Sequence, residues 1–207
     1  MAVRLTRAER KEQIRADLIA SAERVFGLRG FHQASLEEIA ADAGWSKGAV
    51  FSNFTGKDDL FLAVVEVRNR RRQAEQTDQM RAGRTLAGGL RAAGREMADT
   101  MLRDPHWTPL LIEFWTHASR NERLRTRASA AHEQLLEGYG VLITELAARD
   151  GLELVVPAKE AARSAAALAR GLAIERLLDP ASVPEGRLEE LFTAHVLSFT
   201  RPQAGTD

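Results

Sequence analysis

Residues 35–54 read Ser35-Leu36-Glu37-Glu38-Ile39-Ala40-Ala41-Asp42-Ala43-Gly44-Trp45-Ser46-Lys47-Gly48-Ala49-Val50-Phe51-Ser52-Asn53-Phe54. The stretch contains two helix starts with a stop between them. Ser35 followed by Glu38 has the spacing of a capping box, in which the hydroxyl takes an amide of the first turn and the carboxylate reaches back. Leu36, Ile39, Ala40 and Ala43 then fall on one face at helical spacing. Gly44 ends this helix, because the chain must turn there and glycine tolerates positive φ. Ser46 caps a further short helix, expected to run to Phe54. Val50 and Phe54 lie four apart and point inward, which leaves Lys47, Gly48, Phe51, Ser52 and Asn53 on the outer surface. Two short helices joined by a tight glycine turn form a helix-turn-helix.

The flanks support this reading. Upstream, Ile14, Leu18, Ala22, Val25 and Phe26 give a helix from about Arg10 to Leu28, stopped by Gly30. Downstream, Thr55-Gly56-Lys57-Asp58 resembles another capping box. It starts a helix carrying Leu60, Phe61, Val64, Val65 and Val67, then the basic run Arg68-Asn69-Arg70-Arg71-Arg72, which reads as a solvated face, with a nucleic-acid patch as the other reading. The major groove of DNA, about 12 Å wide, admits one α-helix. Lys47, Ser52 and Asn53 are the expected readers. Gly48 and Ala49 allow close backbone approach, and Phe51 can pack on a thymine methyl or a sugar. Amides capped at Ser35 and Ser46 can meet phosphates, and Lys57 is placed to do the same. Arg4, Arg7, Arg10, Lys11 and Arg15 make a basic patch at the start of the chain.

The whole chain has 207 residues, formal net charge zero and no cysteine. Disulfides, thiolate catalysis and thiolate metal sites are therefore excluded, and no cofactor or metal is expected. No apolar run is long enough to cross a bilayer, and the first residues lack the apolar core of a signal peptide. A cytoplasmic protein without membrane contact is expected. An enzyme is poorly supported: there is no Gly-rich phosphate loop, no Gly-x-Ser-x-Gly elbow and no His-Glu-x-x-His. The acidic pairs Glu37-Glu38 and Glu189-Glu190 are accounted for by helix surfaces.

Taken together, Ala22-Glu23-Arg24-Val25-Phe26, Gly30-Phe31, Ser35 to Ala40, Ala43 to Phe54 and Lys57-Asp58-Asp59-Leu60 resemble the tetracycline-repressor (TetR-like) family of bacterial regulators over roughly residues 10–65. The chain departs from the family pattern at Phe51, where Tyr is commonest, and at Trp45, where a small aliphatic is usual. The resemblance implies an all-α protein, with a three-helix DNA-binding domain at residues 1–56 and an antiparallel helical bundle at 57–207 for ligand binding and dimerisation. It also implies a homodimer on a palindromic operator of double-stranded DNA, released by a small effector.

The remainder of the chain reads as amphipathic helices near Thr85–Leu102, Pro109–Ser119, Asn121–Arg149, Pro157–Leu178 and Ser182–Thr200, the last opened by a capping box, Ser182 to Glu185. β-branched runs are rare, and no hairpin is expected. Met97, Met101, Trp107, Leu111, Phe114, Trp115, His132 and Tyr139 are candidates for a largely apolar or aromatic effector pocket, with ordinary bundle core as the other reading. Ala162, Ala165, Ala166, Ala169, Leu172 and Ala173 form one stripe, and Leu188, Leu191, Phe192, His195, Val196 and Phe199 another. By the resemblance these last two helices pair across a dimer; intrachain packing is the alternative. A helical interaction module that does not bind DNA is the remaining functional reading.

Overall fold

The computed structural model describes residues 6–184 and 186–203. Arg4 and Glu185 lie outside the described residues. The chain forms α1 (Arg7–Gln33), α2 (Leu36–Asp42), α3 (Lys47–Phe51), α4 (Lys57–Ala82), α5 (Leu86–Arg103), α6 (Trp107–Ala118), α7 (Glu122–Arg149), α8 (Ala158–Leu178) and α9 (Arg187–Leu197), with two short strands, β1 (Leu152–Leu154) and β2 (Thr200–Pro202). It is thus all-α in class, as the sequence indicates. The antiparallel β1–β2 ribbon, with Glu153 opposite Arg201, departs from the all-helical expectation. Three-residue strands separated by two whole helices carry no local signal.

The residues cluster into two compact units: the chain up to Arg68 together with Leu110–Ala128, and Asn69–Pro109 together with the chain from Ser129 onward. A boundary after residue 56 was expected. The first unit runs further because its core needs Phe61 and Phe114. Phe26, Phe31, Phe61 and Phe114 are all buried. Phe61 meets Phe26 edge-on at 4.9 Å and Phe114 at 4.4 Å between ring centres, and Phe31 meets Phe114 at 5.4 Å. Such aromatic pairs add about 0.5–1.5 kcal/mol each beyond their burial.

Helix ends follow the caps closely. Thr6 and Glu9 form a full capping box that starts α1 earlier than Arg10. Gly30, at φ 78, breaks α1 where the sequence places its stop. At α4 the reaching carboxylate belongs to Asp59, which accepts from the Thr55 amide at 2.9 Å, and not to Asp58. The start expected at Ser182 falls later: α9 begins at Arg187 behind Gly186, which is left-handed and gives no side-chain cap. Arg68 also departs from expectation. It is buried, with Nη1 donating to Glu23 Oε1 at 2.9 Å.

The second unit has its own core, which includes Leu86, Leu90, Leu136, Leu146, Ala162, Phe192 and Val196. α5 and α9 approach closely at Gly94, where a Cβ would lie 2.7 Å from Glu189 Cα. Ser164 of α8 and His195 of α9 hydrogen-bond at 2.8 Å.

Candidate nucleic-acid interface

The turn that presents α3 is fixed from three sides. Ser46 Oγ accepts from the Ala49 amide at 3.3 Å, which caps the helix. Val50 is fully buried and Phe54 nearly so, which anchors the inner face. α3 ends at Phe51 and not at Phe54; Ser52 is its cap residue, and Phe54 reaches the core through the following turn. From α1, the fully buried Ser21 hydroxyl shares its one proton between the Ile39 carbonyl at 2.8 Å and Asp42 Oδ2 at 2.6 Å, and this pins α2. Asp17 accepts from the Trp45 indole at 3.1 Å. Gly44, at φ 72, makes the turn between the two helices.

Arg15 belongs to this clamp. Its Nη1 donates to the Asn53 carbonyl at 3.2 Å, and its guanidinium lies 4.4 Å from the centre of the Phe54 ring. The sequence grouped Arg15 with the phosphate patch. Arg7, Arg10 and Lys11 remain exposed along the first turns of α1. Ser21, Asp17 and the carbonyl contact of Arg15 carry no motif and are visible only once α1 packs on the turn.

On the outer face, Phe51 is 54% exposed. Lys47 pairs with Glu37 of α2 and lies 5.8 Å above the Phe51 ring. Hydrogen bonding from Lys47 is the main cause that holds the Glu37 carboxyl below its ordinary range. At Gly48 an added Cβ would meet only Ser46 Oγ, at an unstrained 3.6 Å, so the fold itself does not demand glycine there. Its smallness, with that of Ala49, serves what approaches from outside. Ser52 Oγ and Asn53 Nδ2 both donate to the Ala49 carbonyl, at 2.9 and 2.8 Å. The Asn53 Oδ1 makes no hydrogen bond among the described residues. Ser35 Oγ accepts from the Glu38 amide at 3.1 Å, while Glu38 turns to Arg29 and does not close the box.

Lys57 is used differently. Its Nζ donates to the His32 and Ala34 carbonyls at 3.0 and 3.2 Å and sits 4.9 Å from the Phe31 ring centre. It closes the broken end of α1. Glu113 of α6 completes this junction by accepting from the Phe31 and His32 amides at 3.1 and 3.0 Å, where Gly30 has freed them. His117 meets Asp58 at 3.1 Å beside it.

A short, capped, externally presented helix behind a glycine turn has the form of a nucleic-acid reader. A profile described as bacterial regulatory proteins, tetR family, matches residues 18–64, and one described as BetI-type transcriptional repressor, C-terminal, matches residues 87–201. The chain belongs to the TetR family of bacterial regulatory proteins.

By family it is a helix-turn-helix transcriptional regulator. It is 27% identical over 193 residues to the regulator PksA of Bacillus subtilis, covering 91% of this chain and 90% of that one. It is 35% identical over 121 residues to the activator FasR of Mycolicibacterium smegmatis, covering 58% of this chain but only 47% of FasR. In fold it is similar to the regulator FadR of Bacillus subtilis, solved with stearoyl-CoA, at TM-score 0.70 and 14% identity over 89% of this chain and 97% of that one.

The residues read as effector contacts divide between the TetR-family chain's two units. Phe114 is buried in the first unit's aromatic core, and Leu111 and Trp115 are half-buried on the same helix. In the second unit, Met97 and Tyr139 pack against the core, and the Tyr139 hydroxyl donates to the buried Gln76. Trp107 is buried, and Met101 lines a groove. His132 is half-buried; burial and then Arg170 hold its pKa below the ordinary histidine value. The acidic pairs are ion-paired: Glu37 with Lys47, Glu38 with Arg29, Glu189 with Arg95 and Glu190 with Arg187. No described helix is long and apolar enough to cross a membrane.

Proposed function

We propose that the chain is a ligand-responsive repressor that binds a palindromic operator as a homodimer, with α3 in the major groove. The observation that carries the reading is the α3 surface. Its inner face is locked by Val50, Phe54 and the Arg15 clamp, and its outer face presents Lys47, Gly48, Ala49, Phe51, Ser52 and Asn53. Lys47 must leave Glu37, and Asn53 and Ser52 must exchange the Ala49 carbonyl, to reach DNA. Each exchange replaces one polar partner with another. Ser35 and Ser46 offer capped helix starts to phosphates, while Lys57 supports the fold behind them.

DNA binding belongs to residues 1–56, and effector binding and dimerisation to residues 57–207. Within the second part, the buried Ala162, Ala165, Ala169 and Ala173 and the buried Leu188, Phe192 and Val196 pack inside the chain. They are therefore not the dimer surface. The outer face of α8, with Ala167, Gly171, Ile174 and Leu178 exposed, is the surface that we assign to a second copy. The effector is a small, largely apolar or aromatic compound held in the second unit, by Met97, Met101, Trp107, His132 and Tyr139; Leu111, Phe114 and Trp115 belong to the first unit. The protein works in the cytoplasm and has no enzymatic activity.

DNase footprinting on the region upstream of the chain's own gene tests the central claim. A protected palindrome with half-sites roughly 34 Å apart is expected. Loss of protection in both Lys47→Ala and Asn53→Ala, with folding intact, identifies α3 as the reader. Unchanged protection in both variants removes it from that role.

A further inference from the structure

A groove at the corner between α5 and α6 shares only Met101 with the effector residues named above. Its walls are Met101, Leu102, Pro105, Ala173 and Leu177, and its charged members are Asp104 and Arg176. All of these belong to the second unit. The space measures about 290 Å³, at the lower edge of the usual small-molecule range of roughly 300–1,000 Å³. Leu102 is 59% and Leu177 45% exposed. Large aliphatic side chains left in water around a concavity gain by being covered.

Charge selects the class of occupant. Among the described residues, the Arg176 guanidinium makes one hydrogen bond, from Nη1 to the Val183 carbonyl at 2.8 Å, and no ion pair. A guanidinium has five N–H donors in a planar fork suited to a carboxylate, so most of this fork is uncommitted. Asp104, the other charged wall, is already engaged by a neighbouring group. A cationic ligand would compete for an occupied acid and face an arginine. An anionic one finds open donors beside an apolar wall.

We propose that this groove binds a small amphipathic carboxylate, its apolar body against Met101, Leu102, Pro105 and Leu177 and its carboxylate on the Arg176 fork. The binding stands independently of the operator; only its regulatory use rests on the effector reading of the second unit. The groove has room for one aromatic ring or a medium-length acyl chain.

The chain has four methionines, Met1, Met80, Met97 and Met101, so methyl-labelled methionine gives a spectrum with a reporter in the wall itself. The full-length protein is titrated with octanoate and, separately, with its uncharged counterpart octanamide. Octanoate is expected to shift the Met101 methyl saturably while the buried Met80 stays still, and octanamide to bind at least tenfold more weakly. Arg176→Gln should bring octanoate to the level of octanamide, and Arg176→Lys should retain part of the preference. Because Arg176 also holds the Val183 carbonyl, Leu102→Glu at the exposed rim provides a second variant, expected to weaken octanoate without touching that bond.

Three results overturn the proposal: no Met101 shift at millimolar octanoate, equal affinity for the amide, or a shift at Met97 alone. A Met101 shift that follows protein concentration and not added octanoate assigns the groove to a second copy of the chain, and this also overturns it. A saturable Met101 shift with operator affinity unchanged supports the site and removes only the effector reading.

Discussion

Lys47, the first of the proposed DNA contacts, is not idle in the free protein. It is tied to Glu37 on an exposed surface, where solvent screens an ion pair and it contributes little. Lys47→Ala should therefore leave thermal stability nearly unchanged while weakening operator binding. If it meets a phosphate, the slope of log K against log salt should fall by about one; titration at several salt concentrations reads both effects. Tyr139 gives a second residue-level prediction, because it is the only tyrosine in the chain. Burial is the main cause that raises its pKa from 10.0 to about 12. The folded state keeps the proton that the unfolded chain releases near pH 10. Stability from this group is thus complete below pH 10 and is lost as pH rises toward about 12. Ultraviolet titration of the phenolate should show a midpoint near 12 in the folded protein; a midpoint at 10 with the fold intact would contradict the burial of this hydroxyl.

Elements meet at two junctions where one atom group decides the packing. α6 docks on the break in α1 through Glu113, which accepts the two amides that Gly30 releases. Glu113→Ala leaves both amides without this acceptor and should cost about 1–3 kcal/mol, read as a fall of several degrees in Tm. Glu113→Gln can satisfy only one amide and should fall between wild type and Glu113→Ala. At the second junction α5 lies against α9 at Gly94. Gly94→Ala forces a methyl into Glu189 backbone and should cost about 1–3 kcal/mol, while the helix propensity of alanine alone would stabilise by up to about 1 kcal/mol. Chemical denaturation decides the sign. A stabilised variant would mean that α5 and α9 can separate freely.

For the whole molecule, the dimer and the salt response are the properties to measure. Net charge is zero, so attraction to DNA comes from local cations and not from the total. Each phosphate neutralised adds about −0.9 to the salt slope on duplex DNA, and a dimer doubles the count. Sedimentation velocity should show a dimer, and Ile174→Asp on the outer face of α8 should shift it to monomer and abolish cooperative operator binding. An Ile174→Asp protein that remains dimeric would move the interface elsewhere. The helix-turn-helix was legible in the sequence because its signals are local: Ser35, Gly44 and Ser46 set caps and a turn within twelve residues. The division into units was not, because Phe114 lies more than fifty residues from Phe61 in sequence yet completes the same core. The α8 and α9 stripes were legible as apolar, but a stripe does not say whether its partner is the same chain or another.

The sequence alone determined the helical class and the two short helices on either side of Gly44, because caps, helical periodicity and turn residues act over a few positions; the family came from the resemblance that those residues carry together. The tertiary structure alone decided which polar groups are available. It turned Arg15 and Lys57 from phosphate candidates into clamps on backbone carbonyls, buried Arg68 on Glu23, placed Phe114 in the aromatic core of the first unit and left the Arg176 fork open beside an apolar groove. The reason is physical. A long cationic side chain goes to the nearest acceptor that packing brings within reach, and which acceptor that is depends on distant segments that no local pattern records.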